Sequence, residues 1–231
     1  MTERALPIVA MVAVVALAWI SLVVVGQTMP MQGMSMSIIT LAIMWAMMMM
    51  AMMAPAAAPS YILYSRMSRH PLASLAYLMG YLAMWCVVGI VYALAHWTLQ
   101  QAELLSMDLR ITQGPFAGAC LIAAGVWQWS PIKARCVARC RSPLGFMMTD
   151  WRDGVAGAFG MGGHYAIWCV GCCWLLMVVL FVVGAMSIAW AAVISAYILA
   201  ERLLPLGRAF DRIVGVALTG FGVWVASSAF I

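Results

Sequence analysis

Apolar residues run along this chain in long blocks separated by short polar stretches. The blocks cover residues 6–25, 38–57, 72–96, 115–129, 164–183, 186–200 and 213–231. Most approach the ~20 residues a helix needs to cross the hydrocarbon core. None alternates residue by residue as a barrel strand does. The pattern predicts an all-α fold, a polytopic transmembrane helix bundle of about seven helices. The first block is followed by VVVGQTMPMQ with no small-x-small cleavage site, so it reads as a retained helix. Pro55 and Pro59 are expected to kink or end the second block. Ser130 and Pro131 close the fourth, and Gly184 permits a tight turn after the fifth. Residues 132–163 read as the longest loop. The expected organisation is one integral membrane domain over 1–231, with a peripheral N-terminal helix at 5–26 and the core at 38–231.

Composition narrows the class. Of 231 residues, 67% are hydrophobic and 8% charged, against about 25% charged in a soluble domain. The net charge of +5 would hint at nucleic acid in a soluble protein. Here the basic residues sit in a few short loops, and topology explains them better. Ten of the twelve fall in alternate loops: Arg66, Arg69, Lys133, Arg135, Arg139, Arg141, Arg152, Arg202, Arg208 and Arg212. The positive-inside rule then places the N-terminus inside and the C-terminus outside, N-in/C-out. A retinal protein needs a lysine within a helix for its Schiff base. Lys133, the one lysine, reads as a loop residue, which argues against that class.

The chemistry concentrates in the fifth block and the stretch before it. On a straight helix Cys169, Cys172 and Cys173 fall within roughly 100° of one another. His164 lies roughly 80° from Cys172 and about 12 Å along the axis. One helix cannot close a four-ligand site, but it can supply two or three sulfurs. A lone buried cysteine is usually packing, and Cys86 and Cys120 read that way. A CxxCC run with a histidine before it points to metal more than to packing. Upstream, Cys136 and Cys140 share a face at i, i+4 if the segment is helical. Four basic neighbours there are expected to lower thiol pKa values and favour thiolate, the metal-binding form. Convergence of Cys136, Cys140, His164 and the Cys169 group at the cytoplasmic face is the sharp expectation, against a loop with two idle cysteines. His70 lies on the same side and is a weaker candidate.

Methionine is the compositional outlier, 22 of 231. Met29, Met31, Met34 and Met36 form M-x-M-x-x-M-x-M in an uncharged exterior loop with no core to fill. Thioether is a soft ligand suited to copper(I) and uncharged at any pH. Within the second block the methionines cover every side of the helix, so most are packing. A few on an inner face, with Met48 and Met52 as candidates, could form a thioether path inward. No hydrolase triad, phosphate loop or paired-carboxylate site is visible.

The runs GVWQWSPIKARCVARCRSP, DWRDGVAGAFGMGGHYAIWCVGCCWLLMVVLFVVGAM and AERLLP, with MWAMMMMAMMAP in the second block, resemble a bacterial family. Its members are described as predicted metal-binding integral membrane proteins, domain-of-unknown-function family 2182. The resemblance spans residues 38 to the C-terminus. It implies metal binding, with Cys136, Cys140, His164, Cys169, Cys172 and Cys173 as the matching positions, and copper as the metal. Some relatives look like copper-dependent membrane monooxygenases. Ser187-Ile188 departs from the family's usual Asn-Leu.

The leading expectation is a copper(I)-binding protein of the bacterial inner membrane, for copper handling or delivery. Its partners would be the lipid bilayer, the metal ion and a membrane or periplasmic subunit, with no nucleic acid. The rival is a copper-dependent membrane monooxygenase, or a subunit of one, acting on an apolar substrate. Only three histidines are available to it, and oxygen-activating copper favours imidazole. A zinc-stabilised structural subunit is a third reading, since Cys/His sets suit zinc equally.

Overall fold

The computed structural model describes residues 2–28, 37–68, 70–106, 110–185, 187–204 and 207–228. Nine helices follow one another among these residues: α1 (Thr2–Thr28), α2 (Ile38–Met67), α3 (Pro71–Gln101), α4 (Gly114–Trp127), α5 (Pro131–Arg141), α6 (Pro143–Asp150), α7 (Gly154–Val183), α8 (Ile188–Leu203) and α9 (Gly207–Ser228). Each expected apolar block has its described residues mostly in helix, so the all-helical class holds. Four helices, α2, α3, α7 and α9, are long and apolar enough to cross a membrane. Met11–Val24 and α4 are shorter apolar stretches.

The second block does not end at its prolines. α2 runs on through Pro55 and Pro59 to Met67. Proline withholds an N–H and crowds the turn before it, and neighbouring helices supply side-chain donors to carbonyls close to the two prolines. Ser195 of α8 donates to Met52 O at 2.9 Å. Tyr81 of α3 donates to Met53 O at 3.3 Å, and Arg202 of α8 to Ala56 O at 3.2 Å. α2 is the central helix, packed by α1, α3, α6 and α8. That enclosure explains its methionines: Met44, Met48, Met49, Met52 and Met53 are all buried.

α7 packs along α3 and also touches α4, α5 and α8. The α3–α7 crossing is close because both helices present glycine there. A Cβ on Gly80 would collide with the Phe159 carbonyl, and one on Gly162 with the Tyr77 carbonyl. Small residues let backbones approach where lipid offers no hydrophobic drive to pair helices. Gly184, with φ 108°, ends α7 in a conformation that favours glycine.

The expected loop over 132–163 is a correction. It holds α5, α6 and the first turns of α7, with only Ser142 and residues 151–153 outside helices. Each start is marked by a proline at the first turn of α5 and of α6. Ser130 caps α5, its Oγ accepting from Ile132 N at 3.2 Å. A high charge density made this stretch read as a solvated loop. In the structure α5 folds back onto α7 and α8. Lys133 is consequently not a loop cation. It is buried, ion-paired with Glu201 and hydrogen-bonded to Gln128.

Candidate metal centre

α5 presents one buried face: Lys133, Cys136, Val137 and Cys140. The i, i+4 spacing sets both thiols toward α7. Gly171 makes room for them; a Cβ at that position would lie 2.7 Å from Cys136 Sγ. The hydroxyl of Tyr165 donates to the Cys140 carbonyl at 2.8 Å and pins the end of α5 to α7. Across the contact, Cys140 and Cys172 lie close enough for their sulfurs to interact, and Cys136 also feels Cys172. Cys172 and Cys173 each donate to the Cys169 carbonyl at 3.0 Å. The two cysteine groups singled out in the sequence, 136/140 and 169/172/173, therefore meet at one buried contact.

The centre of that contact is a residue that sequence reasoning missed. Arg202, near the end of α8, is 8% exposed. Its Nη2 donates to Cys169 Sγ at 2.6 Å and to Cys172 Sγ at 3.3 Å. No carboxylate pairs with it among the described residues, because the neighbouring Glu201 goes to Lys133. A buried guanidinium without a counter-charge costs several kcal/mol, and the acceptors it has are the two sulfurs and the Ala56 carbonyl. Tyr81 Oη, 3.0 Å from Cys169 Sγ, completes the polar contacts of that sulfur. Arg202 had counted as a loop cation, so this is a second correction. The available signal was the Glu-Arg pair ending an otherwise apolar helix, since ionisable groups there need a partner.

The basic neighbours of Cys136 and Cys140 do not act as expected. Arg141 donates to the carbonyls of Glu201 and Leu204 at 2.8 and 2.7 Å. Arg139 lies over the Trp168 ring and 3.9 Å from Asp150, and Arg135 is exposed. With these charges directed elsewhere, burial pushes the Cys136 thiol up from its ordinary value, helped by Cys172. The interaction with Cys172, and then burial, pushes Cys140 well up. A metal taking these sulfurs as thiolates must displace protons.

The remaining candidates lie apart. His164 Nδ1 is 3.3 Å from Asp150 Oδ1, and its ring packs on Phe146 and Trp168. His70 precedes α3 and is exposed. Met48 and Met52 are in the core of α2. Met29, Met31, Met34 and Met36 lie outside the described residues. Among the described residues, no three or more His, Cys, Asp or Glu side chains are gathered in ligating geometry as they stand. The thiols are instead gathered around a guanidinium.

No curated protein and no solved structure matches the chain. A family match does exist, and it covers both cysteine groups, the Met-rich helix and Arg202, over residues 42–225. On that match the chain belongs to the PpoB2 copper chaperone family.

Proposed function

We propose that this protein carries copper(I) as cargo in the thiol pocket between α5 and α7. The observation that supports it is the meeting of Cys136 and Cys140 with Cys169 and Cys172 beside Arg202. Thiolates are soft ligands that favour the monovalent ion. Two thiolates around it leave one negative charge, which the Arg202 guanidinium balances. The five sulfurs are graded in depth: Cys136 is 7% exposed, Cys140 4%, Cys172 1%, and Cys169 and Cys173 0%. The ion enters and leaves from the α5 side, sulfur by sulfur, by exchange with thiols of a carrier.

In this reading the chain spans the bacterial inner membrane seven times, with α1, α2, α3, α4, α7, α8 and α9 as spans and α5 and α6 on the cytoplasmic face. Membership of a copper family and the resemblance to the metal-binding membrane family 2182 both support it. His164 is an auxiliary ligand on the cytoplasmic side, and Met29, Met31, Met34 and Met36 are the exterior contact.

The test is elemental analysis of the protein purified in detergent, with oxidation state from X-ray absorption. Cys172→Ser and Cys136→Ser should each remove most of the bound copper. The double change should remove little more, because both break one site. Cys86→Ser and Cys120→Ser should retain it. Losses that add as independent sites would overturn the shared pocket. Zinc at one equivalent with no copper would favour a structural zinc site.

A further inference from the structure

A second polar feature of the molecule takes no part in copper binding. Where α4 ends and α5 and α9 begin, the chain encloses a cavity of about 410 Å3. Gln128, Lys133, Arg135, Arg208 and Arg212 line it, together with Trp129 and one acid, Asp211. That acid is already engaged: its Oδ1 lies 3.9 Å from Lys133 Nζ and accepts from the Tyr197 hydroxyl at 3.4 Å. Lys133 is in turn taken up by Glu201 and Gln128. Arg135, Arg208 and Arg212 are exposed and have no carboxylate partner among the described residues. The cavity is therefore left with three uncompensated guanidinium groups.

Two further observations point to an anionic oxygen ligand. Gln128 is 5% exposed, and its Nε2 has no hydrogen-bond partner. Its Oε1 is held by Lys133, so the amide is fixed with an unused donor in the cavity wall. The first turns of α5 and α9 also meet here, and helix N-termini favour negative charge.

The surroundings choose among anions. α4 is apolar up to Trp127, and α9 is apolar beyond Arg212. The cavity thus sits at the level where both helices pass from apolar to polar, the level of lipid headgroups. Trp129, which lines it, is 46% exposed, and Ile132 and Ile213, each next in sequence to a lining residue, are 55% and 66% exposed. A free anion has no use for that apolar rim, whereas acyl chains below a headgroup do. Basic pockets between helices on the cytoplasmic side are a recognised mode of anionic lipid recognition.

We propose that this cavity binds the phosphate of an anionic phospholipid, with Arg208, Arg212 and Arg135 on its oxygens and Gln128 Nε2 as a fixed neutral donor. The inference needs α4 and α9 to lie in the membrane but does not need copper. The measurement is native mass spectrometry of delipidated protein titrated with phosphatidylglycerol, phosphatidylcholine or inorganic phosphate. Copper content is measured on the same preparations, so failure of either reading shows separately. The protein should prefer phosphatidylglycerol to phosphatidylcholine by about tenfold or more. Arg208→Gln with Arg212→Gln should abolish that preference, and Gln128→Met should reduce it. Arg66→Gln, on α2, should leave it intact. All three arginine sites of the cavity are exposed, so the variants should fold; Arg135→Gln alone is the milder version. Equal retention of both lipids, or a double variant that still prefers phosphatidylglycerol, overturns the proposal. Binding of inorganic phosphate without discrimination between lipids overturns the lipid assignment in favour of a free anion.

Discussion

Arg202 is the residue on which the thiol pocket turns. It reaches two sulfurs of α7 and the Ala56 carbonyl of α2 from its place on α8. In an apolar interior its charge has to be matched, and a metal-bound thiolate pair has to be matched by it. Arg202→Met should therefore lower copper(I) affinity by about a hundredfold, ~3 kcal/mol, in competition with a copper(I) chelator. Arg202→Lys should recover part of this, since a lysine carries the charge but lacks the planar fork that spans several acceptors. Equal affinity in Arg202→Met would show that the guanidinium serves only α8 packing. Gly171→Ala tests the same pocket from the other side. Its new methyl would press on Cys136 Sγ at 2.7 Å, so that thiol must turn away or α5 must shift, and copper content should fall while the protein stays folded. The cysteines were legible in the sequence because residue type and spacing carry their own chemistry. Arg202 was not, because a cation at the end of an apolar run looks the same whether it faces water or a buried sulfur. Only the fold distinguishes those cases.

Elements were legible in proportion to their length and apolarity. The long helices α2, α3 and α7 follow directly from apolar runs, and Ser130-Pro131 does separate α4 from α5. α5 and α6 were missed because an eleven-residue helix rich in charge and an eight-residue helix carry no long period, and their stability comes from docking. The reach of α2 past Pro55 and Pro59 was also hidden, since it occurs inside packing by α3 and α8, whose side chains bond carbonyls near the prolines and which no local rule contains. The α3–α7 crossing gives an element-scale prediction. Gly162→Leu and Gly80→Leu each put a side chain against a facing backbone carbonyl, which cannot move aside as a flexible side chain would. Each should cost about 3 kcal/mol or more and lower the thermal midpoint in detergent. Gly220→Leu, where a Cβ would meet nothing within 4 Å, should unfold at the same temperature as the unmodified protein. Equal midpoints for all three would mean that the close crossing contributes nothing.

At the scale of the whole molecule the open quantity is its orientation. Two of the cations that set the expected sidedness, Lys133 and Arg202, are buried and occupied, so they no longer count as loop charges. The remaining ones, Arg66, Arg69, Arg135, Arg139, Arg141, Arg152, Arg208 and Arg212, still fall on one side of the alternation. On the other side, the segment after α3 carries only Arg110, and its Ile111 N–H is tied to the Phe181 carbonyl at the end of α7. The positive-inside rule weighs exposed basic residues close to the helix ends, and Arg66, Arg135 and Arg208 are of that kind. Their agreement is the charge pattern that the proposed N-in/C-out arrangement predicts, even with the buried pair left out. In the proposed arrangement the α5–α7 thiol pocket lies toward the cytoplasmic side, because α5 and the end of α8 that carries Arg202 both pack against it. In that arrangement the compartment would keep the thiols reduced, as the proposed copper(I) exchange requires. A reporter fused after Ile231 should be active only in the periplasm, and one inserted at Ser142, between α5 and α6, only in the cytoplasm. If both report the same side, an odd number of crossings between them is excluded. Either α8 or α9 then fails to span, or α7 does, and the copper path through α7 would have to be redrawn.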